Sequence, residues 1–188
     1  MIGGSILLRT RLVPVAIVLL LASGAQGKSP PETELQMGER LVQVLDCNIC
    51  HTPKVFTPQG PQPDATRMLS GHPAGAKLPA IPKGVIGPEA WGGLHDNNLT
   101  AWAGPWGVSF ATNLTPDNET GIGVWTQEMF INAIRKGKHM GVARPILPPM
   151  PWQAYSHLSD EELRAVFVYL KSLPPIKNEV PAPLPPTK

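Results

Sequence analysis

The stretch Leu45-Asp46-Cys47-Asn48-Ile49-Cys50-His51-Thr52-Pro53, LDCNICHTP, holds both cysteines of a 188-residue chain and sets a histidine directly after the second. Three common chemistries use cysteines at this spacing. A structural zinc site wants four thiolate or imidazole ligands arriving as two close pairs. There is no second pair here, and His72, His95, His139 and His157 are scattered without ligand-like spacing. A redox dithiol belongs near a strand-helix junction in a strand-rich chain, whereas this sequence reads as helices and loops. A disulfide closing a two-residue gap would restrain very little chain.

A fourth reading accounts for every residue of the motif, because Cys-x-x-Cys-His is the attachment signature of c-type haem. Side chains three apart on a helical turn share one face, so Cys47 and Cys50 can form thioethers to the two vinyl groups along one porphyrin edge. His51 then brings an imidazole nitrogen to the iron. A second axial ligand is expected, and methionine is the common partner of histidine. The candidates are Met37, Met68, Met129, Met140 and Met150. Met150 stands out within Ile146-Leu147-Pro148-Pro149-Met150-Pro151-Trp152, where flanking prolines forbid helix and stiffen the backbone that aims the sulfur. His139 or Met140 would be the substitutes, with His72 a more distant one. Trp102, Trp106, Trp125 and Trp152 are candidates for the apolar shell around the ring.

Outward from the motif, residues 1–27 read as a secretory signal peptide: Arg9 and Arg11 precede the apolar run Leu12 to Ala22, and small residues follow at Ala25 and Gly27. An uncleaved membrane tether is the alternative reading. No later stretch is long or apolar enough to span a bilayer. Removing those residues leaves 14 basic against 14 acidic side chains. Nucleic-acid binding is not expected, since Arg135, Lys136 and Lys138 form the only basic cluster and suit the end of a helix.

Three helices are legible. Glu32 to Asp46 carries an amphipathic pattern entering the motif. A second helix starts at an N-cap on Thr126 and stops at Gly137. Ser159-Asp160-Glu161-Glu162 reads as a capping box opening a third, which ends at Pro174-Pro175. Prolines punctuate the rest, nine of them between Pro53 and Pro105, so strands are not expected to dominate. The segment 54–103 reads as a long proline-rich loop excursion. Residues 176–188 read as a proline-rich tail, extended and lying on the domain or leaving it.

Three segments resemble a known family. The run Gly38-Glu39-Arg40-Leu41-Val42 leading to CNICHTP, the stretch ATNLTPDNETGIGVWTQEMFINAIRKGKH at 111–139, and PMPWQAYSHLSDEELRAVFVYLKSLPP at 149–175 are similar to monohaem class I cytochrome c domains. The particular resemblance is to the cytochrome subunits of bacterial periplasmic dehydrogenases. It implies an all-α cytochrome c fold over residues 28–175, its first and last helices crossing around one covalently bound haem c. It implies that Gly38 gives close approach to an aromatic such as Tyr169, and it supports His51 and Met150 as axial ligands. Those subunits carry several haem motifs, and this chain has one. The carbonyl that orients the second nitrogen of His51 is expected within 54–103. The function expected is one-electron transfer in the periplasm or another exported location, by transient docking with a dehydrogenase, an oxidase or another cytochrome. The alternative is a haem enzyme with a labile sixth ligand, acting on peroxide or a small sulfur compound.

Overall fold

A computed structural model describes residues 31–186; the expected signal peptide lies outside them. Helix α1, Glu34–Val44, starts where Thr33 and Gln36 cap each other reciprocally, the Thr33 side chain accepting from the Gln36 amide and the Gln36 side chain from the Thr33 amide. Helix α2, Cys47–His51, is the single turn that carries the motif. Helix α3, Gln127–Lys136, is capped by Thr126 and ended by Gly137 at φ 62°, a left-handed conformation that costs glycine nothing. A short α4, Trp152–Tyr155, precedes α5, Asp160–Ser172, which opens on the expected Ser159/Glu162 capping box.

Helices α1 and α5 pack against each other, and Gly38 is why they can. A Cβ built there would lie 2.0 Å from the Ala165 carbonyl oxygen and 2.8 Å from Tyr169 Cβ, far inside van der Waals contact. Leu41 and Val42 of α1, Phe130 and Ile134 of α3, and Leu163, Val166, Phe167 and Leu170 of α5 bury together with Leu69 and Ile122. Each of the larger side chains withdrawn from water contributes about 2 kcal/mol. Arg164 of α5 pairs with Glu34 of α1 at 2.6 Å, an exposed bridge that adds little.

The expectation of an all-α chain is wrong. Helix makes up only 29% of the structure, and the class is mixed α/β with two small antiparallel sheets. Strands β1, Lys54–Thr57, and β2, Gly60–Pro63, form a hairpin. Strands β3, Leu94–His95, β4, Ala101–Gly104, and β5, Gly107–Phe110, form a sheet in the order β3-β4-β5. Prolines did not prevent this, because they occupy positions that tolerate a missing N–H. Pro58 lies in the β1–β2 turn, Pro61 and Pro63 on a strand of a two-stranded sheet, and Pro105 in the β4–β5 turn. Strands of four residues are also too short to declare a period of two. The expected loop excursion therefore carries one whole hairpin, β3 and most of β4.

Among the described residues no helix is long and apolar enough to cross a membrane.

Candidate functional site

Between α1 and α2 the chain turns at Asp46, which holds φ 56°, a left-handed conformation that aspartate adopts more readily than most residues. That turn brings Cys47, Cys50 and His51 onto one compact unit. Tyr155 ties it down from α4, its hydroxyl donating to the Leu45 carbonyl at 2.6 Å. Burial pushes the Cys47 thiol up to about 12 and raises the Cys50 thiol as well. A catalytic dithiol needs the opposite, a thiol depressed toward neutrality.

His51 is only 8% exposed. Its Nδ1 lies 2.7 Å from the backbone oxygen of Thr112; a carbonyl can only accept, so Nδ1 carries a proton, and in the neutral ring Nε2 is then the nitrogen with the lone pair. Burial lowers the imidazole's pKa, opposed by that hydrogen bond, and the neutral ring is the form that ligates a metal. The orienting carbonyl was expected within 54–103 and is found beyond it, at Thr112. It is the chain leaving β5, beyond the 54–103 segment, that brings its carbonyl to the imidazole.

Cys47, Cys50, His51 and Met150 all line one cavity of about 830 Å³. Trp102, Phe110, Trp125 and Phe130 add aromatic wall to it. His139 and Met140, the two substitutes for Met150, line it too, with His139 edge-on to Trp125 at 5.0 Å between ring centres. The remaining candidates go elsewhere. Met37 packs against the core, and His72 is 1% exposed with Nδ1 2.9 Å from the Thr100 hydroxyl. Of the other tryptophans, Trp106 lies against Gly104 and Trp152 against Gly137.

The loop bearing Met150 is fastened to β5 and to the end of α3. Ser109 of β5 donates from Oγ to the Pro148 carbonyl, and the Ile146 amide donates to the Gly137 carbonyl at 2.8 Å. Trp106 Nε1 donates to Ser109 Oγ at 3.3 Å, completing a short relay. Neither fastening is visible in sequence, since nothing local to Ser109 or Gly137 marks the Met150 loop as its partner.

The motif helix thus presents two thiols and a buried imidazole to an aromatic-walled cavity. No family model matches the chain. The chain is homologous to cytochrome subunits of bacterial dehydrogenases, as the three quoted segments implied. It is 30% identical over 148 residues to a subunit of the nicotinate dehydrogenase of Pseudomonas putida, an alignment taking in 79% of this chain and 9% of the relative. It is 26% identical over 170 residues to the cytochrome c subunit of alcohol dehydrogenase (quinone) of Gluconobacter oxydans, covering 90% of this chain and 28% of the relative. It is 36% identical over 89 residues to the fructose dehydrogenase cytochrome subunit of Gluconobacter japonicus, covering 44% of this chain and 18% of the relative. The chain spans less than a third of the length of these curated relatives.

Proposed function

We propose that this protein carries single electrons through one haem c, which Cys47 and Cys50 would hold by thioethers and whose iron His51 and Met150 would ligate. The carrying observation is that His51, fixed by Thr112 with Nε2 free, shares one cavity with both thiols and Met150. The fit of the group rests on the cavity. Its volume of about 830 Å³ suits a ligand of porphyrin size, and its aromatic wall suits a flat apolar ring. Haem c, when bound, supplies reversible one-electron chemistry between ferric and ferrous iron.

The chain's own residues supply the rest. Cys47 and Cys50, three apart on one turn, would hold the ring through thioethers. Thr112 fixes the tautomer and ring plane of His51, as outer partners of metal-bound histidines do. Prolines on both sides stiffen the backbone of Met150, and Ser109 and Gly137 pin its loop, so little has to rearrange when charge changes. A thioether ligand favours the reduced state. No general base or nucleophile is required.

In this reading the electrons come from a dehydrogenase partner in an exported compartment, with residues 1–27 as the export signal. The names of the relatives support the dehydrogenase. The interface would be small and short-lived.

The test is the optical spectrum of ferric and ferrous protein from cells able to attach haem, beside Met150→Ala and Met140→Ala. A far-red sulfur-to-iron band present in wild type and Met140→Ala but missing from Met150→Ala is expected, with no ready binding of carbon monoxide by wild type. A wild-type high-spin spectrum or prompt carbon monoxide binding would overturn the closed carrier.

A further inference from the structure

Composition allows the segment after Pro175 either to lie on the domain or to leave it. In the structure it is pinned at both ends. At the first, the Ile176 amide donates to Thr115 Oγ1 at 3.0 Å and the Ile176 carbonyl accepts from Asn113 Nδ2 at 2.7 Å. Asn178 follows, 4% exposed. Its Nδ2 donates to the carbonyls of Ser70 at 2.7 Å and His72 at 2.8 Å. Its Oδ1 accepts from the Ala74 amide at 2.9 Å and Arg67 Nη2 at 3.1 Å. Both donors and both lone pairs of that amide are used, so the site is built for asparagine.

At the second end, Leu184 exchanges two backbone hydrogen bonds of 2.9 Å with Val108 of β5. Gly107 makes room for this approach: a Cβ there would sit 2.0 Å from the Leu184 carbonyl oxygen. Between the anchors the chain forms neither helix nor sheet, yet Lys177, Glu179, Val180, Pro181, Ala182 and Pro183 all line the cavity that holds Cys47, Cys50, His51 and Met150. Ordering a segment costs conformational entropy, and the two prolines reduce that cost by stiffening the unfolded chain. The anchors offset the remainder.

We propose that residues 176–184 form a strap that makes one wall of the cofactor cavity, positioned by Asn178, and that the strap restricts entry of water and small ligands to the bound group. This rests on the haem reading above. Val180, Pro181, Ala182 and Pro183 give the wall an apolar stretch, which keeps the polar medium from the centre and thereby tunes it. Asn178 is a positioning residue: its side chain spends its hydrogen bonds on the 67–74 segment and acts on the cavity only through the chain it holds.

The experiment compares full-length, haem-loaded wild type with Asn178→Ala and with Leu184→Pro, which removes one donor at the other anchor. Two quantities are read on each: amide hydrogen exchange over 176–184, and the rate at which imidazole binds the ferric protein. Both variants should exchange faster across the strap and bind imidazole about tenfold faster, with wild-type haem content. If Asn178→Ala fails to fold, Leu184→Pro carries the same comparison from the more exposed end. Strap amides that loosen while imidazole binds at the wild-type rate overturn the wall alone. Wild-type chain that emerges without covalent haem overturns the electron-carrier reading, and the wall with it.

Discussion

His51 donates from Nδ1 to the backbone carbonyl of Thr112 at 2.7 Å, joining positions 61 apart in the chain. One bond thus sets the imidazole's tautomer, its ring plane and which nitrogen faces the cavity. His51→Ala removes the proposed iron nitrogen and strands a carbonyl. Loss of the low-spin spectrum is expected, together with a stability cost of about 1–3 kcal/mol for the unpaired buried group. Spectra and denaturant unfolding of the same preparation check both. A low-spin spectrum retained in the variant would remove His51 from the ligand set.

Ser109 holds the Pro148 carbonyl, two residues before Met150. Ser109→Ala should lower stability by about 1 kcal/mol and weaken the far-red sulfur-to-iron band, with haem content unchanged. A band of full wild-type intensity, measured beside the unfolding curve, would mean that the loop holds its sulfur without this bond.

Gly38 is the point of closest approach of α1 and α5, where any Cβ meets the Ala165 carbonyl. Gly38→Val forces the helices apart and should cost roughly 3 kcal/mol. A fall in the midpoint of chemical denaturation reports it. Because α1 leads directly into the motif turn, haem yield per folded chain should fall as well.

Asp117 controls a turn that delivers Asn118 to Ile122 to the cavity. The Thr120 hydroxyl, then the amides of Thr120 and Glu119, hold its carboxyl below the usual carboxylate range. A depressed folded-state pKa contributes stability that is present above the unfolded value and is lost as pH falls through the folded one. Thermal midpoints of wild type should therefore decline on acidification through the carboxylate range. In Asp117→Asn that part of the decline should vanish. Equal slopes in the two proteins would show that this turn does not contribute.

Local signals in the sequence were read well where they are complete within a few residues. The Ser159/Glu162 box, the Thr126 cap and the Gly137 stop each need only their own neighbours, and the structure places them as read. The motif turn, with Cys47, Cys50 and His51 together, is of the same kind. The strands were missed because β4 and β5 are short and their hydrogen-bond partners lie across a turn built on proline and glycine, where local preference says loop.

What sequence alone determined about this protein is the identity and spacing of the candidate side chains: two thiols one helical turn apart, the adjoining imidazole, and a methionine stiffened by prolines. Those depend on covalent spacing and backbone restriction, which act over a few residues. Tertiary structure decided what surrounds them: the Thr112 carbonyl behind His51, the Ser109 tether on the Met150 loop, and the closing of a cavity wall by residues 176–184. Each of these joins distant positions through backbone polar groups, which every residue carries alike, so no side-chain pattern can announce which pair will meet.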